Sequence, residues 1–323
     1  MSGKLFDCVL HIGLNAPVVQ KMLVANSNRY HYIDSTKLTI HNGLNQEITR
    51  MNIIMKPNLN FFQIQHGNPI LPVTLKHLHG VSVNWTGDVR EELPDVFAKT
   101  GSYFDYNMFT NITDVEKMND IGIHANYLQI GLDIDIYRKE YIIENGLKIT
   151  HDIVFLANNY HNRFPLSSLR TQVGNLLRER YGDRLGLYGN GWPTISNGMV
   201  NNMHDEELSI YRNCKIAINL SHFDYKRYSS DRIFRIMGSG AFCLTKWYPE
   251  IEKDFIDGEH LVIWHTLDDL IEKIEYYLVN DTERNAIAQR GYDLVYKYHT
   301  WDERMIELKS IIQNHEKYQA SLG

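Results

Sequence analysis

The sequence has few cysteines and no long apolar run, and both shortages exclude whole classes of protein. No stretch of its 323 residues approaches the roughly 20 consecutive apolar residues that a transmembrane helix needs. The three cysteines are odd in number and far apart, so they predict reduced thiols and not a disulfide framework or a zinc site. Asp7 stands where a signal peptide would have its apolar core, so we expect a cytoplasmic protein.

Several catalytic signatures are also missing. The sequence contains no Walker phosphate loop, no His-Glu-x-x-His, no nucleophile elbow and no Gly-x-Gly-x-x-Gly, which disfavours nicotinamide dehydrogenases. His77-x-His79 has no third ligand nearby, and Asp133-x-Asp135 falls where a turn between domains is expected. We therefore predict no metal and no cofactor. The net charge of −6 argues mildly against broad nucleic-acid binding, without excluding a local basic cleft.

The pattern that is present alternates short apolar runs with helical spacing, which predicts parallel sheets covered by helices. In the first half we predict strands at 5–11, 61–65, 81–84, 103–106 and 125–128, a short strand near 30–33, and a helix at 113–119. In the second half we predict strands at 152–157, 185–188, 215–220 and 241–244, and helices at 166–181, 205–212, 232–239, 267–278 and 301–312.

These elements predict an α/β protein with two doubly wound, Rossmann-like domains that face each other across a cleft. The expected domains are residues 1–135 and 150–300, with residues 301–323 returning as a helix to the first domain. Ligands of open α/β sheets bind at the carboxyl ends of the strands. Polar residues and glycines recur there: around His11 and Gly13, His66–Asn68, Thr86–Arg90, Thr110–Asn111, Asn158–Tyr160, Gly189–Trp192 and Ser221–His222.

The most informative segment runs from Arg227 to Leu244. Ser229, Ser230 or Asp231 can cap a helix that Gly238 and Gly240 end. The amide groups and positive dipole at the start of such a helix attract anions. Three guanidinium groups lie on or beside that start, from Arg227, Arg232 and Arg235. A diphosphate fits this concentration of donors, although a capped helix with solvated arginines would have the same pattern.

From Gly186 to Trp301 the chain resembles the carboxy-terminal domain of group 1 glycosyltransferases, in particular their spore-maturation-protein-like branch. The matching segments are residues 188–192, 206–220, the arginine and glycine helix, 250–258, 267–278, 280–284 (interpreted as a turn) and 299–301. Residues 84–90, 110–111 and 126–133 are similar to the first domain of the same branch. The resemblance implies the two-domain GT-B fold and transfer of a sugar from a UDP- or GDP-sugar, independent of metal and with retention of configuration.

One departure from that family concerns its Glu-x7-Glu pair, which hydrogen-bonds the donor sugar and the ribose. The corresponding positions hold Arg227 and Arg235. A guanidinium only donates hydrogen bonds, so it cannot accept them from hydroxyls as a carboxylate does. Either the arginines bind more of the phosphate, or the donor is unusual, or transfer activity is lost.

The remaining site predictions follow the strand ends. The donor is assigned to Gly13, Arg163, Gly189, Arg227, Ser229, Ser230, Arg232 and Arg235. Asp88 is the expected base or acceptor-orienting group, with a turn aspartate as the alternative, and His11 is a second catalytic candidate. A retaining enzyme can instead pass the acceptor proton to the leaving phosphate.

Two other functions remain open at this stage: a sugar-nucleotide epimerase, and a non-catalytic protein that binds sugar nucleotides or glycans. The acceptor is equally open, between a glycan, a protein side chain, a cell-surface polymer and a hydroxymethylated DNA base.

Overall fold

Two all-parallel β-sheets form the framework of the protein, one in each of two units of the chain. The computed structural model describes residues 3–38, 43–64, 70–137, 150–192, 196–200 and 205–322. Residues 1–130 and 301–323 form the first unit, and residues 131–300 form the second. Both units are α/β, which confirms the predicted fold class.

The first unit contains a six-stranded sheet in the order β2-β1-β3-β4-β5-β6. Its strands are β1 (Phe6–Gly13), β2 (Ser27–Asp34), β3 (Leu59–Phe62), β4 (Val81–Thr86), β5 (Tyr106–Phe109) and β6 (Ala125–Tyr127). Its helices before residue 130 are α1 (Pro17–Ala25), α2 (Leu44–Met55), α3 (Pro72–Lys76), α4 (Asp95–Thr100) and α5 (Ile112–Asp120).

The second unit contains a five-stranded sheet in the order β11-β10-β9-β7-β8. Its strands are β7 (His151–Leu156), β8 (Leu185–Tyr188), β9 (Cys214–Asn219), β10 (Cys243–Lys246) and β11 (Val262–Trp264). Its helices are α6 (Ile134–Tyr137), α7 (Ser167–Tyr181), α8 (Asp205–Arg212), α9 (Asp231–Gly238), α10 (Leu267–Val279) and α11 (Asp281–Tyr298).

The chain closes with α12 (Trp301–Ile312) and α13 (Glu316–Ala320), which belong to the first unit. Trp301, Met305 and Leu308 recur at intervals of four and three residues, so they share one face of α12. That face is buried in the same core as Phe6 and Phe61 of the first sheet. The burial of this apolar stripe attaches the end of the chain to its beginning.

Two of the predicted elements differ clearly from the observed ones. The strand predicted at 103–106 begins only at Tyr106, because residues Gly101–Tyr103 form a 3₁₀ turn. The turn predicted at 280–284 is instead the start of α11, whose buried stripe includes Arg284 and Gly291 and therefore lacks a clear apolar pattern. Of the predicted strand-end groups, His66–Asn68 lies outside the described residues.

The three cysteines carry free thiols, as predicted, with Cys8 and Cys243 buried and Cys214 half-buried. Within the described ranges no helix combines the length and apolarity needed to cross a bilayer.

Candidate functional site

The second sheet has a topological switch point between β7 and β9. The chain leaves β7 through α7, which packs on one face of the sheet with Val173 and Leu177. It leaves β9 toward α9, which packs on the opposite face with Ile233 and Phe234. The two connections therefore diverge and open a crevice at the carboxyl ends of the strands, where doubly wound sheets bind their ligands.

The loops after β7 and β8 are hydrogen-bonded to each other beside this crevice. The Asn159 amide donates to the Asn190 carbonyl over 2.7 Å, and the Asn190 amide donates to Asn158 Oδ1 over 2.9 Å. The approach is so close that a Cβ at Gly189 or Gly191 would overlap a backbone carbonyl of the β7 loop, and both glycines have positive φ. We predicted that Gly189 contacts the donor. The structure gives a different reason for a glycine there, because a side chain would not fit between the two loops.

The start of α9 faces the same edge. Ser230 is the N-cap residue, with φ −65° and ψ 159°, as the sequence predicts for one of three neighbouring positions. Its hydroxyl makes no capping bond, and its buried Oγ has no hydrogen-bond partner among the described residues. The Ser230 amide is held by Ser221 Oγ at 3.3 Å. A hydroxyl donor and a positive helix end are therefore available together.

Arg170 of α7 lies buried beneath the switch point, with 1% of its surface exposed. Its guanidinium donates to the Asn158 carbonyl at 3.0 Å and to the Leu220 carbonyl, so it joins the loops that follow β7 and β9. It also donates to His222 Nε2 at 2.7 Å. Burial, with the charges of Arg170 and Arg232, lowers the pKa of His222 to about 3 and keeps its ring neutral.

Arg232 of α9 adds a second cation at the same strand end. Its Nη1 donates to the Leu220 carbonyl at 3.3 Å and to Asn219 Oδ1 at 3.4 Å. Burial, followed by the charge of Arg232, lowers the pKa of Arg170. Two guanidinium groups thus share one carbonyl in a poorly solvated place, and an anion bound there would relieve their repulsion.

A pocket of about 230 Å³ opens beside Arg232. Its lining comes from the ends of β7 and β8 and from α8 and α9: Leu156, Ala157, Asn158, Tyr188, Gly189, Asn190, Met199, Val200, Glu207, Arg232 and Arg235. A wider pocket of about 520 Å³ shares Gly189, Asn190 and Met199 with it.

Arg235, predicted to bind phosphate, is engaged with carboxylates of the protein itself. Its Nη1 lies 3.1 Å from Glu207 Oε2 of α8, and its Nη2 lies 3.4 Å from Asp231 Oδ1. Burial opposes the charged form of Arg235, but these two carboxylates outweigh it and raise its pKa. Arg235 is therefore a fixed cation whose first partner is Glu207.

The other predicted donor ligands of the second unit have different surroundings. Arg227 has φ 52° and makes a two-pronged ion pair with Asp254, with its closest contact at 2.7 Å. Ser229 is buried. Arg163 is exposed, and its guanidinium lies 5.3 Å from the centre of the Phe164 ring. Of the predicted arginines, Arg232 and Arg235 are the ones that line the pocket.

In the first unit, His11 is fully buried in β1 with both ring nitrogens hydrogen-bonded. Nε2 lies 2.8 Å from Gln63 Oε1, and Nδ1 lies 2.8 Å from the Tyr30 hydroxyl. An amide oxygen can only accept, so Nε2 carries the proton and the Tyr30 hydroxyl donates to Nδ1. Nothing in these surroundings supports the catalytic prediction for His11, because no lone pair is left to take a proton.

The burial of His11 predicts a loss of stability in acid. Burial lowers the pKa of His11 to about 4. Between pH about 6.5 and 4 the unfolded chain then binds more protons than the folded one, so stability falls as the pH falls, by on the order of 3 kcal/mol for this group. Urea unfolding of the wild type and of His11→Gln at pH 7, 5.5 and 4.5 checks this. The variant should have a clearly shallower pH slope, and equal slopes would contradict the prediction.

Asp88 follows the end of β4 and is 64% exposed, with Arg90 Nη2 3.6 Å from its carboxylate. The preceding Gly87 is held by Thr110, whose hydroxyl donates to its carbonyl at 3.4 Å.

Gly13, at the end of β1, packs against Gln63: a Cβ there would lie 2.7 Å from Gln63 Cβ. Asp133 precedes α6 and Asp135 lies in its first turn, where the Asp135 amide donates to Asp133 Oδ1 at 3.1 Å.

The sequence did not single out Arg170 or Glu207. A signal for Arg170 was present, since it falls on the helical stripe of Val173, Leu177 and Tyr181, where an arginine is buried only for a reason. Glu207 gave no such signal, because it stands beside Asp205 and Glu206 at a helix start, where acids are common on the surface.

Part of the chain also matches a known family, from α7 of the second unit to α12 of the first. Residues 170–310 match the family described as "Glycosyl transferase-like". No curated protein matches the sequence.

Solved structures of similar shape extend over the whole chain. HepE from Anabaena has a TM-score of 0.64 and 10% identity, covering 95% of this chain and 100% of its own. A glycosyltransferase from Rickettsia africae has a TM-score of 0.65 and 9% identity, covering 100% of this chain and 99% of its own. An E. coli trehalose-6-phosphate protein bound with UDP-2-fluoro glucose has a TM-score of 0.63 and 9% identity, covering 95% and 99%.

At these identities the shapes establish the fold, and the family match shows that residues 170–310 are similar to glycosyl transferases. The predicted glycosyltransferase class is confirmed at that level. Residues 170–310 are thus similar to the glycosyl transferase-like family, in a chain that has the GT-B fold.

Proposed function

We propose that this chain transfers a sugar from a nucleoside-diphosphate sugar to an acceptor hydroxyl. The observation that carries the proposal is the meeting of Arg170, Arg232 and the start of α9 at the switch point of the second sheet. A buried cation, a half-buried cation and a positive helix end make a strong site for a diphosphate. The site lies within the residues that match the glycosyl transferase-like family.

The donor diphosphate would take its hydrogen bonds from Arg232 of the pocket lining, from the Ser230 hydroxyl and from the first amides of α9. That hydroxyl has no partner among the described residues. The adjoining wider pocket, with Gly189, Asn190 and Trp192 in its lining, has room for the nucleobase. HepE and the E. coli trehalose-6-phosphate protein were crystallised with UDP-glucose and UDP-2-fluoro glucose, which favours the uridine series over the guanosine series.

Transfer requires stabilisation of the negative charge that develops on the departing diphosphate. Arg170 and Arg232 are fixed in place before the donor binds, so they need little reorganisation at the transition state. Fixed cations of this kind can do the work that a metal ion does elsewhere, and we propose that the reaction is metal-independent. We also propose retention of configuration, with the leaving phosphate accepting the acceptor proton.

Asp88 is the proposed acceptor-orienting group. Its carboxylate is exposed after a buried strand, and the glycine before it is held by Thr110. A glycan, a protein side chain, a polymer and a hydroxymethylated DNA base all carry a suitable hydroxyl.

We further propose that the chain belongs to the spore-maturation-protein-like branch and that the protein is cytoplasmic. Both proposals rest on the sequence patterns given above.

Replacement of Arg232 by methionine should weaken nucleoside-diphosphate binding by at least about tenfold, because a hydrogen bond between a charged donor and a phosphate is lost. Isothermal titration with UDP and GDP measures this. Arg227→Met is the matched control, since Asp254 already holds its guanidinium, and it should change the affinity by less than about threefold. Equal affinities in the wild type and Arg232→Met would remove the phosphate site from this position.

Turnover separates the proposal from its two rivals. Labelled UDP-glucose and GDP-mannose are incubated with and without a panel of glycan, peptide and hydroxymethylated-DNA acceptors. Release of nucleoside diphosphate that depends on an acceptor supports the transferase. Conversion of the donor sugar without any acceptor would indicate an epimerase, and tight binding with neither reaction would indicate a non-catalytic binding protein.

A further inference from the structure

The pocket at the switch point contains a buried carboxylate that cannot contribute to the binding of a diphosphate. Glu207 lines the pocket, yet only 4% of its surface is exposed. It comes from the first turn of α8, a helix that supplies none of the phosphate donors. A diphosphate would be repelled by this group, so the carboxylate requires another explanation.

The contacts of Glu207 with the described residues leave part of its capacity to accept hydrogen bonds unused. Oε2 accepts from Arg235 at 3.1 Å, and Oε1 lies 3.5 Å from the Tyr137 hydroxyl. A carboxylate offers about four acceptor positions. Burial raises the pKa of Glu207, and the charge of Arg235 acts against that shift. Arg235 therefore helps to keep the group ionised and fixes its direction, with Asp231 holding the other end of the guanidinium.

The rest of the polar lining consists mainly of donors or of groups already occupied. Arg232 and Arg235 only donate. Asn158 accepts from the Asn190 amide and donates to the Tyr160 hydroxyl, so both ends of its side chain are engaged. Within the described part of the chain, Glu207 is the one carboxylate in this lining. Hydroxyl groups of a ligand in this pocket would find their strongest acceptor there.

We propose that Glu207 binds a vicinal diol of the nucleotide-sugar donor and so determines which donors are accepted. The assignment rests on the proposed function, since it takes the donor to occupy this pocket. A diol can present two hydroxyls to one carboxylate, which gives two charge-assisted hydrogen bonds. The ribose and the transferred sugar both carry such a diol, and the experiment distinguishes them.

The test compares two affinity ratios in the wild type and in Glu207→Gln. One ratio is that of UDP to 2′-deoxy-UDP, and the other is that of UDP-glucose to UDP. UDP, 2′-deoxy-UDP and UDP-glucose are titrated calorimetrically, with the guanosine series used if GDP binds more tightly. If the diol is that of ribose, the wild type should prefer UDP to 2′-deoxy-UDP by at least about tenfold, and the variant by less than about threefold. If the diol is that of the sugar, the deoxy preference is unaffected and the ratio of UDP-glucose to UDP affinity falls instead.

Tyr137→Phe is the matched control, because it removes a neighbour of Oε1 and leaves the carboxylate in place. Both ratios should stay at their wild-type values. If Glu207→Gln does not fold, the double variant Glu207→Gln with Arg235→Met removes the ion pair as a unit and is measured instead. Ratios unchanged by loss of Glu207 would overturn this assignment and leave the proposed function standing. A wild type that binds no nucleoside diphosphate would overturn both.

Discussion

Arg170→Met is expected to weaken nucleoside-diphosphate binding by about a hundredfold, roughly 3 kcal/mol, which is more than the loss from Arg232→Met. The variant loses a fixed positive charge below the switch point. It also releases the Asn158 and Leu220 carbonyls, whose common donor holds the two loops in position. Isothermal titration with UDP and GDP measures the loss.

The effect of Arg170→Met on folding should be smaller than its effect on binding, because two large contributions oppose each other. Removing a buried cation recovers a desolvation cost of several kcal/mol. Leaving the Asn158 carbonyl and the His222 ring without their donor costs about 1–3 kcal/mol for each group, while the Leu220 carbonyl keeps Arg232 as a donor. The melting temperature is therefore expected to shift little.

Arg180→Met is the control on the same helix, since Arg180 is half exposed and pairs with Glu275. It should leave both affinity and melting temperature unchanged. If Arg170→Met binds as tightly as the wild type, the buried guanidinium serves only to hold the loops. If it unfolds while Arg180→Met does not, its role is in folding.

The order of the elements in the second unit was readable from the sequence because local patterns and tertiary burial agree there. Leu185–Tyr188 and Asp205–Arg212 were predicted with their observed bounds, as was Trp301–Ile312 of the first unit. The prediction failed where the local sequence pattern and the tertiary burial disagree. In α11 the buried stripe is made of Arg284, Ile287, Ala288, Gly291 and Val295, so its periodicity is hidden by a charged and a side-chain-free residue.

The candidate site was predictable only as far as backbone position determines it. The residues after β7, β8 and β9 were predicted to gather at one edge, and the structure brings these loops together. The pairing of side chains was not predictable, because it depends on how helices distant in sequence pack. Arg232 and Arg235 look alike in the sequence, yet one donates to a strand-end carbonyl and the other to Glu207.

Glu207 illustrates this most clearly. The family's carboxylates are absent from α9, and the sequence alone left the site without an acceptor for hydroxyls. The structure brings a carboxylate into the same pocket from α8, 28 residues earlier in the chain than the arginine that it contacts. On the proposal above, a chemical requirement that the resemblance assigns to one helix is met from another helix through packing.

Gly191→Ala is expected to destabilise the second unit by about 3 kcal/mol and to lower its melting temperature by about 10 °C. Gly191 has φ +78°, and a Cβ there would overlap the Asn159 carbonyl. The β8 loop would have to retreat from the β7 loop and lose the 2.7 Å bond between the Asn159 amide and the Asn190 carbonyl. Because Asn158, Gly189 and Asn190 line the pocket, nucleotide affinity should fall as well. Calorimetric melting and titration with UDP measure the two effects.

Gly258→Ala separates the steric contribution from the conformational one. Gly258 has φ +73°, nearly the same as Gly191, but a Cβ at this position would meet no described atom within 4 Å. Its replacement should cost only about 1 kcal/mol, the penalty of a left-handed alanine, and should leave nucleotide affinity intact. The difference between the two variants then measures the close contact of the β7 and β8 loops. Equal destabilisation by both variants would mean that the loops can separate at no cost, and that their hydrogen bonds do not hold the pocket in shape.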